Sequence, residues 1–138
     1  MKQFEILDIS GDAGIRAYGR DLPELFINAA AGMYSLITDL KDVQGKKTLE
    51  VSAGGSSLKG LLVSFLNELV FHFDTYGFIG KNITITALDN SSVSATISGE
   101  EFDPDRHKGK LLIKAATYHK LKVEKRTDRW ETEVIFDI

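Results

Sequence analysis

The residues whose type and spacing suit chemistry in this chain are acidic. Asp8 and Asp12 bracket a turn-forming run, Ser10-Gly11-Asp12, and Asp137 is followed only by Ile138 and its carboxylate. Carboxylates that converge repel one another unless a proton or a cation joins them. An all-oxygen set without His or Cys selects a hard divalent ion, Ca²⁺ or Mg²⁺ with Mn²⁺ also suited, over Zn²⁺. Such a site forms from Asp12, Asp137 and Ile138 if the first and last strands lie side by side. The alternative is a turn-capping Asp12 and a solvated chain end.

Other candidates carry less. His72, His107 and His119 are scattered. Glu68 and His72 have the i, i+4 spacing that can share a metal but more commonly makes a surface ion pair. His119 follows Thr117-Tyr118 and is either a structural hydrogen-bonding residue or a partner-facing one. Gly54-Gly55-Ser56-Ser57 before a helix offers N–H groups to an anion, yet without a nearby Lys it reads as a strand-to-helix turn. P-loop, dinucleotide, zincin, nucleophile-elbow and EF-hand motifs are missing from the sequence. Cysteine is absent, which removes thiolate chemistry and disulfides.

Elements must position these residues. With 138 residues, 43% of them apolar, the chain suits one domain, 1–138. Its net charge of −3 argues against a nucleic-acid-binding surface, so no stable direct contact with RNA or DNA is expected. The opening residues lack a signal-peptide core and no apolar run spans a bilayer, so the expectation is a soluble cytoplasmic protein with no membrane partner. Short strands are predicted at Phe4 to Asp8 and Ala13 to Tyr18. The stripe Leu22, Leu25, Phe26, Ala29, Ala30, Met33, Leu36, Ile37 predicts a helix that Asp21 and Glu24 cap. Thr48 to Ala53 alternates as a strand. Leu58, Leu61, Leu62, Phe65, Leu66, Leu69, Val70 and Phe73 predict a second helix that Gly77 stops. A hairpin follows, turning at Asp89 to Ser92, then strands around Leu121–Val123 and Trp130–Phe136. Two amphipathic helices and about seven strands give an α+β two-layer sandwich, a mainly antiparallel sheet with both helices packed on one face.

The run Asp8-Ile9-Ser10-Gly11-Asp12-Ala13-Gly14-Ile15 resembles the D-H-T-A-D-x-G-I opening of the archease family. Leu25-Phe26 with Ala29-Ala30 resembles its first helix, and Leu61-Leu62 with Phe65-Leu66-Asn67-Glu68-Leu69 its second. Gly99-Glu100, Lys114-Ala115, Thr117-Tyr118-His119 and Asp137-Ile138 resemble its later blocks, so the likeness runs through the chain in order. It implies a two-layer α+β fold and a non-enzymatic activator of the RtcB-type RNA ligase. That ligase joins 3′-phosphate or 2′,3′-cyclic phosphate ends to 5′-hydroxyl ends in tRNA splicing and RNA repair. The activator promotes the manganese- and GTP-dependent guanylylation of the ligase histidine and permits repeated turnover. The family's metal-binding acids correspond to Asp12 and Asp137, with Ile138 adding an oxygen in some members, and calcium is the expected ion. Ile9-Ser10-Gly11 departs from the family's His-Thr-Ala, and the Ile9 side chain has no atom to bind a metal or carry a proton. Two other readings stand beside this one: a small Mg²⁺-dependent phosphoester hydrolase using Asp12 and Asp137, and a chaperone-like module for RNA-processing proteins.

Overall fold

Capping residues set both helices where the periodicity places them. In the computed structural model, which describes residues 2–138, helix α1 runs Leu22–Ile37 and the Asp21 carboxylate accepts the Glu24 N–H at 2.9 Å. Glu24 reaches back one residue further than a reciprocal capping box requires: it accepts the Arg20 N–H at 3.0 Å and pairs with the Arg20 guanidinium at 3.0 Å. Helix α2, Leu58–Tyr76, begins with Ser57 accepting the Gly60 N–H at 3.0 Å. It ends at Gly77, whose φ of 70° is the left-handed cap that glycine adopts without strain. The Gly55 N–H is spent on Ser91 O at 3.0 Å. The Gly54–Ser57 run is thus a strand-to-helix turn, as its composition suggests.

Among the described residues eight strands accompany these helices: β1 (Phe4–Leu7), β2 (Ala13–Gly19), β3 (Lys47–Gly54), β4 (Phe78–Leu88), β5 (Ser92–Glu101), β6 (Ala115–Ala116), β7 (Lys122–Lys125) and β8 (Trp130–Asp137). The α+β class with antiparallel pairing is as expected, but the strands divide into two sheets. One has the order β1-β2-β8-β6, with β7 also on β8, and the other is β3-β5-β4. The expected single sheet is corrected because β4 and β5 pair with β3 instead of continuing onto β8. The extra strand, β6, is two residues long, too short for an alternating pattern to reveal. A loop of irregular backbone joins β5 to β6.

Helix α1 packs on β1, β2, β8 and the start of β4, while α2 packs mainly on β3 and β6. The helices therefore span the seam between the sheets. Their apolar stripes meet there, with Phe26 and Phe65 ring centroids 5.7 Å apart, and both rings are fully buried with Ile15, Met33, Leu62, Leu66 and Phe136. Burial of such side chains, roughly 1.5–3 kcal/mol each, is the main favourable term in folding. The solvent face of the larger sheet is laced by charge: Arg16 pairs with Glu5 at 3.1 Å and Glu133 at 3.0 Å. The Tyr18 hydroxyl donates to Glu5 at 2.5 Å, and with help from Lys2 and Arg16 it holds the Glu5 carboxyl down to about 2.

Candidate functional site

A four-residue turn delivers Asp12 to the sheet. The Asp12 N–H bonds Ile9 O at 3.4 Å, and Gly11, third in the turn, has a φ of 80°. A positive φ at that position is the mark of a type II turn. Ile9, standing where the family opening has histidine, folds back so that its Cδ1 covers Gly14; a Cβ on Gly14 would lie 2.6 Å from it.

Strand β2 pairs with β8 from Gly19↔Trp130 to Ala13↔Phe136. Asp12 immediately precedes Ala13 and Asp137 immediately follows Phe136, so the two acids flank the last pair of this ladder. Residues opposed in an antiparallel ladder have Cα atoms about 4.5–5.5 Å apart and share a face. Ala13 and Phe136 point into the core, so alternation turns Asp12 and Asp137 outward, and both are exposed. The strand beside β8 is the second in the chain, not the first as expected, because β1 takes the far edge of β2. On its other side Asp137 is level with Ala115, and its carbonyl accepts the Lys114 N–H at 2.8 Å. Ile138 follows, 40% exposed.

An all-oxygen set on adjacent strand ends suits a hard divalent ion. Among the described residues no three His, Cys, Asp or Glu side chains group to hold a metal. A cation at this tip would therefore draw on two side-chain carboxylates, the Ile138 main-chain oxygen and water. Histidine stands apart from this set. His72 Nε2 lies 3.5 Å from Glu68, the surface pair its spacing suggests. His119 is exposed, its N–H bonded to Thr117 Oγ1 at 3.3 Å.

Two features were not anticipated. Glu100 on β5 is buried with its carboxylate accepting the Gln44 N–H at 2.5 Å, the Arg106 guanidinium, and the His107 Nε2–H at 3.2 Å. His107 Nδ1 accepts the Asp103 N–H at 2.8 Å, so the ring proton resides on Nε2, facing Glu100. Burial alone would push the Glu100 carboxyl up, but these bonds outweigh it and hold it below the usual range. The cluster fastens the segments around Gln44 and around Asp103–His107 to β5. The second feature is Asn67 of α2, whose carboxamide hydrogen-bonds both main-chain groups of Ala116. A signal existed for it: asparagine in mid-helix has no capping role and costs helix propensity.

Comparison with known proteins follows the same outline. The model of the Archease protein family matches residues 4–138. The chain belongs to the archease family. The protein archease of Sulfurisphaera tokodaii is 32% identical over 139 residues, covering 100% of both chains. That of Methanosarcina acetivorans is 34% identical over 141 residues, covering 99% of this chain and 97% of its own. The solution structure of Methanobacterium thermoautotrophicum protein 1598 superposes with a TM-score of 0.84 at 33% identity over 100% of both chains. The crystal structure of "an archease, possible chaperone" from Thermotoga maritima has a TM-score of 0.69 at 19% identity, covering 96% and 94%, and shows a shared fold. Among the described residues no helix is long and apolar enough to cross a membrane.

Proposed function

We propose that this archease-family chain is a non-enzymatic activator of an RtcB-type RNA ligase in tRNA splicing and RNA repair, acting in the cytoplasm. It promotes guanylylation of the ligase histidine and so permits repeated turnover, without joining RNA itself. The observation that carries this reading is family membership over residues 4–138; Asp12 and Asp137, which flank the last β2–β8 pair, Ala13↔Phe136, support a shared cation site. A divalent ion, calcium by preference with magnesium or manganese as substitutes, supplies the positive charge that lets the carboxylates stand together. The turn at Gly11 sets one carboxylate, the last step of β8 sets the other, and Ile138 adds an oxygen.

Electrostatics favours this partner over naked RNA. A chain of net charge −3 with an acidic tip is repelled by a phosphate backbone and drawn to a cation-rich nucleotide pocket on a protein. The test is multiple-turnover ligation by a purified RtcB-type ligase. Added protein should raise the number of product molecules per ligase above one. Equal yields with and without it refute the proposal, and phosphate release from model phosphoesters by the protein alone would replace it with a hydrolase.

A further inference from the structure

Ala116 has main-chain groups that β8 does not use. Strand β6 holds β8 through Lys114 N–H to Asp137 O at 2.8 Å and Thr117 N–H to Ile135 O at 3.1 Å, with Thr117 Oγ1 on the same carbonyl at 2.7 Å. The N–H and C=O of Ala116 go to α2 instead, at a residue only 5% exposed, where water is a poor substitute partner. Asn67 meets both: its Oδ1 accepts the Ala116 N–H at 2.7 Å and its Nδ2 donates to Ala116 O at 3.2 Å. A carboxamide carries the donor and acceptor of a peptide group. Asn67 thus completes the sheet edge as a one-residue surrogate strand.

We infer that Asn67 is a positioning residue for the acidic tip. From the rigid helix it fixes β6, and β6, through the Lys114 N–H bond to the Asp137 carbonyl, fixes the end of β8 that carries Asp137. Two residues of ladder are a weak clamp without support on their outer side. Asn67 is that support, so it acts on the carboxylate through the backbone without touching it. The inference rests on the reading of Asp12 and Asp137 as cation ligands. Its chemistry is specific. Asp at this position keeps the shape and the acceptor for Ala116 N–H but sets a carboxylate oxygen against Ala116 O, so it cannot replace the Asn67 donor.

The test measures Ca²⁺ binding by calorimetry and backbone amide exchange for the parent, Asn67→Ala, Asn67→Asp and, as a control, Leu66→Ala. Leu66 is the neighbouring core residue of α2, so its truncation lowers stability while keeping both Asn67 hydrogen bonds to Ala116. In both Asn67 variants the Lys114 and Thr117 amides should exchange faster than in the parent, while the amides bonding β2 to β8 keep their protection. Loss of such an outer support should weaken Ca²⁺ affinity roughly tenfold, and Leu66→Ala should leave affinity unchanged. Parent-like exchange at Lys114 and Thr117 in a folded Asn67 variant overturns the inference. So does an equal affinity loss in Leu66→Ala, which would reduce the effect to stability. If the parent binds no Ca²⁺, the cation reading fails by itself. Amide exchange then decides the positioning claim alone: faster exchange supports it and unchanged exchange refutes it.

Discussion

Replacing Gly11 by alanine isolates the turn that delivers Asp12. The Gly11 φ of 80° is left-handed, and a Cβ built there meets no atom within 4 Å, so the substitution carries a backbone cost and no steric one. Holding a non-glycine residue in that region costs roughly 1–2 kcal/mol. Alanine also restricts the unfolded chain, which returns roughly 0.4–1 kcal/mol. The net loss is about 1 kcal/mol, a fall of about 3 °C in melting temperature for a chain of this size. Gly77 provides the matched comparison: its φ is 70° and a Cβ there meets Glu101 Cγ at an ordinary 3.6 Å, so Gly77→Ala should cost about the same. The two variants differ in what they disturb. Gly11→Ala relieves its strain by opening the turn and drawing Asp12 away from Asp137, whereas Gly77→Ala loosens the end of α2. Thermal melts and Ca²⁺ calorimetry on both should show equal destabilisation, with weakened ion binding in Gly11→Ala alone. Asparagine tolerates left-handed φ, so Gly11→Asn should recover most of the loss. Ion affinity equal to the parent in Gly11→Ala, or an equal fall in Gly77→Ala, would refute the claim that this turn sets the site.

Asp12→Ala and Asp137→Ala should each abolish most Ca²⁺ heat and ligase stimulation together while leaving the melting temperature near that of the parent, since both side chains are exposed; undiminished heat in both places the ion elsewhere. Leu66→Ala, at a fully buried position, should lower unfolding free energy by about 2–5 kcal/mol in denaturant titration. The Glu100 carboxyl lies below its ordinary value of 4.5, so its contribution is complete above that pH and is lost as pH falls through the lower folded value. Melting temperature followed into acid should therefore drop less steeply for Glu100→Gln than for the parent, and parallel curves would show that Glu100 has no part in acid unfolding.

The helices were legible because each is written in local terms. A period of 3.6 with Asp21, Ser57 and Gly77 at the ends needs no knowledge of the rest of the chain. Asp12 and Asp137 announced themselves by charge and by position near turns. The division into two sheets was not legible, because each strand carries the same alternation whichever neighbour it takes, and β2 finds β8 across more than a hundred residues. The single-sheet expectation followed from pattern alone, where register decides.

The buried polar anchors escape sequence reading for a sharper reason. Asn67 pairs with a backbone amide that any residue at position 116 would present, so nothing about Ala116 marks it as a partner. Glu100 looks like one more strand carboxylate until folding buries it and brings up the Gln44 N–H from one side and Arg106 with His107 from the other. For Asn67 the informative signal is the mismatch between residue and place, a polar amide in mid-helix. Glu100 carries none, because it falls on the strand face of Ser94, Thr96 and Ser98, opposite the core residues Val93, Ala95 and Ile97, and is buried only by the segments that fold over it. Burying such groups is costly unless every donor and acceptor is met. They persist where a partner fixed in space is worth that cost: Glu100 holds the loop at Asp103–His107 and the segment at Gln44, and Asn67 holds the short strand β6, whose neighbour Lys114 donates to the Asp137 carbonyl.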